Sequence, residues 1–142
     1  MEPCELADRH AEALRSKYPN VPTYAIPKKR FSDSSTNELT KSIIELIRQH
    51  GGFATRVNAG GIYDEKLKIF RQSHTAAGTP DVIASCFGKF IGVEIKYGKD
   101  KLSDSQIKVG KQIQSGGGYY VVAKNFKDFS NWLLQIKQGA QS

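Results

Sequence analysis

The stretch "GTPDVIASCFGKFIGVEIK", residues 78–96, decides how the chain folds. It is mostly apolar and predicts two short strands joined by a turn, yet it contains two carboxylates and an ammonium. If Phe87 and Gly88 are the central residues of a tight turn, Asp81 lies opposite Glu94. Because side chains alternate between the faces of a strand, one face then carries a set of core residues, Val82, Ala84, Ile91, Val93 and Ile95. The other face gathers the three charged residues, Asp81, Glu94 and Lys96.

The register of this hairpin is a hypothesis that depends on its turn. Phe-Gly is not a favoured sequence for a two-residue turn. A symmetric four-residue loop would keep the same pairing, whereas a three-residue loop would shift it by one residue.

In the predicted register, the charged face favours a metal site. Directly opposed residues have Cβ atoms about 4.5–5.5 Å apart, so Asp81 and Glu94 would repel each other. Lys96 can help one carboxylate, whereas a divalent cation can bind both, with the backbone carbonyl of Ile95 as a further ligand. Oxygen ligands and open positions for water suit Mg²⁺, and such a site fits phosphodiester hydrolysis. The alternative is a structural salt-bridge cluster at a strand end.

The composition indicates a polyanionic partner. The chain has 142 residues, enough for one domain, with a formal net charge of +7 and a pI near 9.4. No apolar run reaches the roughly 18 residues of a membrane span, and the polar start does not resemble a signal peptide. Cys4 and Cys86 lack metal-ligand spacing and predict free thiols in a reducing cytoplasm. No GxGxxG or Walker motif is present, so no nucleotide cofactor is expected.

The remaining elements predict an α/β protein with a mixed central β-sheet flanked by helices. Apolar periodicity and caps predict four helices, at 5–18, 37–50, 103–114 and from 126 onward. "FATRVNA" and "LKIFRQS" predict two strands paired through a Gly60-Gly61 turn, and "YYVVA" predicts a buried strand. The "PKKR" of residues 27–30 is either a phosphate-binding or nuclear-localisation patch or a solvated basic linker.

The motifs also resemble a known family. Pro80-Asp81, then twelve residues, then Glu94-Ile95-Lys96 resembles the PD-(D/E)XK nuclease signature. Together with "KLSDSQ" and "GGGYYVVAKNFKDFSNWL", the pattern is similar to the VRR-NUC branch of that superfamily, whose members resemble Holliday-junction resolvases. The resemblance implies a restriction-endonuclease-like core in a nuclease domain at 35–138, preceded by an N-terminal helix and basic linker at 1–34.

The resemblance also implies roles for individual residues. Asp81 and Glu94 would bind the metal and Lys96 would be the catalytic lysine. Glu38 would complete or position the metal site, although Ser35 and Glu38 also have capping-box spacing. Gln106 would sit beside the site, although Ser103 and Gln106 have the same spacing.

We therefore expect an Mg²⁺-dependent endonuclease, with Mn²⁺ as a substitute, acting on DNA and selective for branched or flapped structures. Contacts to nucleic acid are expected from Lys89, Lys99, Lys101, Lys108, Arg56 and Asn58. A homodimer would allow two strands to be cut symmetrically. We expect a cytoplasmic, nucleic-acid-associated protein of a bacterial or phage system. Two rival functions remain, a non-catalytic nucleic-acid-binding module on the same scaffold and a toxin or restriction-type enzyme.

Overall fold

Four helices and six strands make up the protein in a computed structural model, which describes residues 1–57, 62–71 and 74–141. The helices are α1 (Pro3–Lys17), α2 (Thr36–Gln49), α3 (Asp104–Ser115) and α4 (Phe126–Gln141), with a single 3₁₀ turn at Thr23–Ala25. The strands are β1 (Phe53–Arg56), β2 (Ile62–Asp64), β3 (Ile69–Arg71), β4 (Val82–Cys86), β5 (Lys89–Ile95) and β6 (Tyr119–Ala123). No helix in the described ranges has the length and apolar character needed to span a bilayer.

The main sheet has four strands in the order β1-β4-β5-β6. β4 is antiparallel to both β1 and β5, whereas β5 and β6 are parallel and are connected through α3. A parallel pair needs such a crossover because its two strands start at the same edge of the sheet. The protein is thus a mixed α/β fold with a mixed sheet flanked by helices, which confirms this part of the prediction.

The predicted register of the β4–β5 hairpin is confirmed. Cys86 pairs with Lys89 and Val82 pairs with Val93. Phe87 and Gly88 have φ angles of 54° and 74°, the left-handed pair of a type I′ turn. This conformation is unfavourable for phenylalanine, but the ring packs against the core and lies edge-on to His50, with ring centroids 5.7 Å apart.

Different helices pack on the two faces of the sheet. The apolar face predicted for the hairpin packs with α1, α2 and α4 into one core, in which Ile43, Val93 and Phe126 are fully buried. The opposite face, which carries Glu94, is covered by α3. Gly92 permits this approach, because a methyl group there would lie 3.0 Å from the Cδ1 atom of Ile113 on α3.

The predicted pairing of "FATRVNA" with "LKIFRQS" is wrong. β1 pairs with β4, and the main-chain N–H of Val57 extends this ladder by donating to the carbonyl of Asp81. β3 pairs instead with β2 in a separate two-stranded hairpin. The Asp64 side chain accepts hydrogen bonds from the N–H groups of Lys66 and Leu67, which creates a local turn. The Gly60-Gly61 turn lies outside the described residues.

The first 34 residues pack onto the rest of the chain. Leu6 on α1 is fully buried in the core. The side chain of Gln49 on α2 donates to the main-chain carbonyl of Leu6. Farther along, Ser42 donates to the carbonyl of Ser32, and Asp33 accepts from the N–H of Phe126 at the start of α4. The predicted division at residue 34 stays a prediction, but these contacts attach the first segment to α2 and α4.

Candidate functional site

Three charged side chains meet at one edge of the sheet, where β5 ends and β4 begins. Asp81 immediately precedes β4, Glu94 is the second-last residue of β5, and Lys96 follows that strand. Asp81 accepts a hydrogen bond from the N–H of Ile95, with 2.8 Å between Oδ2 and N. This bond extends the contact between the strands one step beyond the last regular pair. The alternation of side chains predicted this group, and the structure brings all three residues together.

Glu94 is the most constrained member of the group. Its side chain is only 2% exposed, and its Oε1 atom accepts a hydrogen bond of 2.7 Å from Nε2 of Gln106. The Lys96 ammonium lies 3.9 Å from the same oxygen. The other carboxylate oxygen, Oε2, is buried, and no N–H or O–H group of the described residues donates to it. A buried carboxylate oxygen without a partner is costly, so this arrangement requires either a proton or a cation.

The electrostatic cost is visible in the acidity of Glu94. The pKa of Glu94 rises from 4.5 to about 8, chiefly because the side chain is buried. Hydrogen bonding to Asp81 and the Asp81 charge act in the same direction, and the Lys96 charge opposes them. At neutral pH without a cation, Glu94 is therefore mostly protonated. The repulsion expected between the two carboxylates thus contributes to this rise in pKa, after burial.

Gln106 combines the two roles that its sequence context left open. Its Oε1 atom accepts a hydrogen bond of 2.8 Å from the N–H of Ser103, and its own N–H donates to the Ser103 hydroxyl. This is a complete capping box at the start of α3. The side-chain amide nitrogen of Gln106, Nε2, takes no part in this box and donates to Glu94. One side chain thus begins the helix and holds the buried carboxylate.

Tyr120 is a member of the site that sequence reasoning missed. It lies on β6 opposite Gly92, and its ring packs against Gly110 of α3. Its hydroxyl is buried and has no hydrogen-bond partner in the part of the chain that the structure describes. Burial and the nearby charges of Glu94 and Asp81 raise the pKa of Tyr120 to about 12. Only the parallel register of β5 and β6 could have indicated this position, and no turn in the sequence fixes that register.

Glu38 lies at the start of α2 and is engaged elsewhere. Tyr97 donates to the carbonyl of Ser34, so the start of α2 is tied to the chain that follows the site. The Glu38 carboxylate lies 3.2 Å from the Lys41 ammonium, and Ser35 caps the helix by accepting from the Glu38 N–H. Within the described part of the chain, no three His, Cys, Asp or Glu side chains are grouped to hold a metal. The role of Glu38 in metal binding therefore stays a prediction.

The residues expected to contact nucleic acid are spread over several surfaces. Lys99, Lys101 and Lys108 are exposed on the connection after β5 and on the first turns of α3. Lys89 lies at the turn end of β5, five residues or about 17 Å along the strand from Glu94. Arg56, at the end of β1, donates to Asn37. Asn58 lies outside the described residues.

The residues at the sheet edge fit a hard divalent cation. The unpartnered oxygen of Glu94 and the carboxylate of Asp81 supply anionic oxygen, and the backbone of Ile95 adjoins both. With two carboxylates, an ion would retain several waters, as Mg²⁺ does in sites that act on phosphates. The Lys96 stem is largely covered, with the side chain 15% exposed, so its ammonium is held toward this edge.

No model of a known protein family matches the chain, and no curated protein matches it.

Proposed function

We propose that the protein is a metal-dependent nuclease that hydrolyses phosphodiester bonds in DNA. The observation that carries this proposal is the buried Glu94 carboxylate. One of its oxygens receives no hydrogen bond from a described N–H or O–H group and lies beside Asp81, and the other faces the Lys96 ammonium. In this proposal the sheet is a restriction-endonuclease-like core, and the motif at Asp81, Glu94 and Lys96 is that of the VRR-NUC branch.

Each side chain has a defined task in the proposed reaction. Asp81 and Glu94 would hold Mg²⁺, whose chemistry here would be to polarise the phosphoryl oxygen and to lower the pKa of a bound water. Gln106 fixes the orientation of Glu94 through the bond to Oε1. Lys96 places a positive charge beside the carboxylates, where it stabilises the negative charge that develops on the phosphate.

The charge of the chain supports a nucleic-acid substrate. The formal net charge is +7, and exposed lysines follow the site on the connection to α3. Each phosphate that these lysines neutralise releases counterions and strengthens binding at low salt. We propose branched or flapped DNA as the preferred substrate and a homodimer as the active form, since one small domain carries one site.

A cleavage assay on a panel of DNA substrates tests the proposal. Junction, flap, linear duplex and single-stranded DNA are incubated with Mg²⁺ or Mn²⁺, with and without chelator. We expect metal-dependent cleavage by the wild type and none by Asp81→Asn. The matched control is Glu12→Gln, an isosteric change of an exposed carboxylate on α1, which should leave cleavage unchanged.

Three outcomes would contradict the proposal. Full activity of Asp81→Asn would exclude the site, and cleavage that survives chelation would exclude the metal. Tight binding of DNA without cleavage of any substrate in the panel would favour a non-catalytic nucleic-acid-binding module.

A further inference from the structure

A basic groove lies between the segment that precedes α2, α2 itself and β1. Its volume is about 530 Å³, and we call it the linker–α2 groove. Five cationic side chains line it: Lys29, Arg30, Lys41, Arg48 and Arg56. Two of them belong to the "PKKR" stretch, and the other three come from positions 41–56. Folding therefore gathers basic residues that are separated in the sequence.

The acidic residues of the groove are already engaged. Glu38 pairs with Lys41 at 3.2 Å. Glu45 lies 2.8 Å from Nδ1 of His10 and also accepts a hydrogen bond from Gln49. Lys41 is itself one of the five cations, so four remain beside the Lys41–Glu38 pair. Among the described residues the groove therefore keeps an excess of positive charge.

Several of the cationic groups remain available to a ligand. Lys29 and Arg30 are exposed, and neither forms an ion pair with any other described residue. Arg48 donates through Nη2 to the carbonyl of Ala54, and Arg56 donates through Nη2 to Asn37. Each arginine has five N–H donors, so these bonds fix the guanidinium groups and leave further donors free.

The dimensions of the groove fit a chain of phosphates better than a single anion. Lys41 and Arg48 are seven residues apart on α2, which corresponds to about 10 Å along the helix axis. Phosphates of one DNA strand follow each other about every 3.4 Å along the duplex axis. Because about 10 Å is much longer than one such step, cations at the two ends of the groove can contact different phosphates of one strand.

The groove adjoins the end of β1 that lies next to the candidate site. Arg56 is the last residue of β1, and the next residue, Val57, donates its N–H to the carbonyl of Asp81 over 2.8 Å. A strand that leaves the sheet edge at Asp81 can therefore pass Arg56 and enter the groove along α2. We propose that the linker–α2 groove binds the phosphate backbone of a nucleic-acid strand that extends from the site, an inference that rests on the proposed nuclease function.

Metal-free binding tests the groove independently of cleavage. Fluorescently labelled single-stranded and duplex DNA of equal length are titrated with protein in chelator, and anisotropy is recorded between 50 and 200 mM salt. The double variant Lys29→Ala/Arg30→Ala removes two exposed groove cations. Its matched control, Arg15→Ala/Lys28→Ala, removes the same charge from exposed positions that do not line the groove.

We expect the groove variant to bind at least one DNA form about tenfold more weakly at 100 mM salt. Its slope of log K against log salt should be shallower by about 1–2, because up to two phosphate contacts are lost. The control should change affinity less than twofold. Thermal melts should match the wild type, since all four side chains are exposed. Equal losses in both double variants would overturn the groove, because they would show an effect of net charge alone.

The result separates this inference from the proposed function. If the groove variant binds DNA more weakly but the wild type cleaves no substrate, the groove is supported as a DNA-binding surface and the nuclease function is refuted. If the wild type shows metal-dependent cleavage but the groove variant binds DNA as well as the wild type, the nuclease function is supported and DNA binding by the groove is refuted. A parallel titration with phosphatidylglycerol vesicles tests a lipid surface, and a loss restricted to vesicles would also overturn the inference.

Discussion

Replacing Glu94 by glutamine should stabilise the metal-free protein at neutral pH. Glutamine keeps the shape of the side chain and can accept the hydrogen bond from Gln106 through its carbonyl oxygen. Its amide nitrogen takes the place of the unpartnered Oε2 atom and donates to Asp81. The substitution thus removes a carboxyl group that must take up a proton on folding at neutral pH, and it should abolish cleavage because a metal ligand is lost.

The pKa of Glu94 sets the sign and size of this effect. It rises from 4.5 to about 8 on folding, so between these pH values the native state holds a proton that the unfolded state has lost. Stability therefore falls as pH rises from about 4.5 to about 8, and the full cost is present above that range. At pH 7 this difference in pKa lowers the free energy of unfolding by about 3 kcal/mol. Glutamine does not titrate, so the Glu94→Gln variant lacks this loss.

Urea unfolding followed by circular dichroism measures this cost. Wild type, Glu94→Gln and the control Glu12→Gln are compared in chelator at pH 5 and pH 8. The stability advantage of Glu94→Gln should grow by about 3 kcal/mol between the two pH values, or about 6–12 °C in Tm. Saturating Mg²⁺ should stabilise the wild type and not Glu94→Gln. Parallel pH profiles for the wild type and Glu94→Gln would refute the reasoning.

Three further substitutions test the surroundings of the site. Lys96→Met should lower the single-turnover cleavage rate by at least about 100-fold while DNA binding in chelator stays within about threefold, and an unchanged rate would exclude a catalytic lysine. Gln106→Glu keeps the capping box but places a second carboxylate beside Glu94, which repels it. Helix content measured by circular dichroism should stay unchanged, whereas cleavage should require a higher Mg²⁺ concentration. An unchanged Mg²⁺ requirement would contradict the bridging role of Gln106. Gly110→Ala should destabilise the fold by about 1–3 kcal/mol in urea, because its methyl group would lie 2.7 Å from the Tyr120 ring. Gly139→Ala, with open space around the new methyl group, should be neutral or stabilising, and equal effects of the two alanines would contradict the packing argument.

The sequence predicted the hairpin and its charged face because both depend on local rules. Alternation along a strand has a period of two, so one correct turn places every side chain of β4 and β5. The turn at Phe87 and Gly88 was the uncertain step, since phenylalanine is unusual at a left-handed position. The edge-on contact with His50 offsets that cost, and this contact exists only in the folded protein.

Other parts of the site depend on contacts that local patterns do not encode. Tyr120 enters the site through the parallel pairing of β5 with β6, which is set by the packing of α3 and not by a turn. The partner of β3 was mispredicted because the glycine pair suggested a turn, whereas the Asp64 side chain forms one later in the chain. Capping-box spacing indicated half of the role of Gln106, and only the approach of α3 to β5 supplied its bond to Glu94.

The side chain of Gln106 forms two hydrogen bonds, one to Ser103 and one to Glu94. They couple two events that are usually separate. Helix ends fray on their own, and their amide hydrogens exchange with solvent at each opening. Here the N–H of Ser103 is protected by the same side chain that holds Glu94. When the first turn of α3 opens, the carboxylate loses its donor in the same motion. Hydrogen exchange at the Ser103 amide therefore reports how often the site itself comes apart.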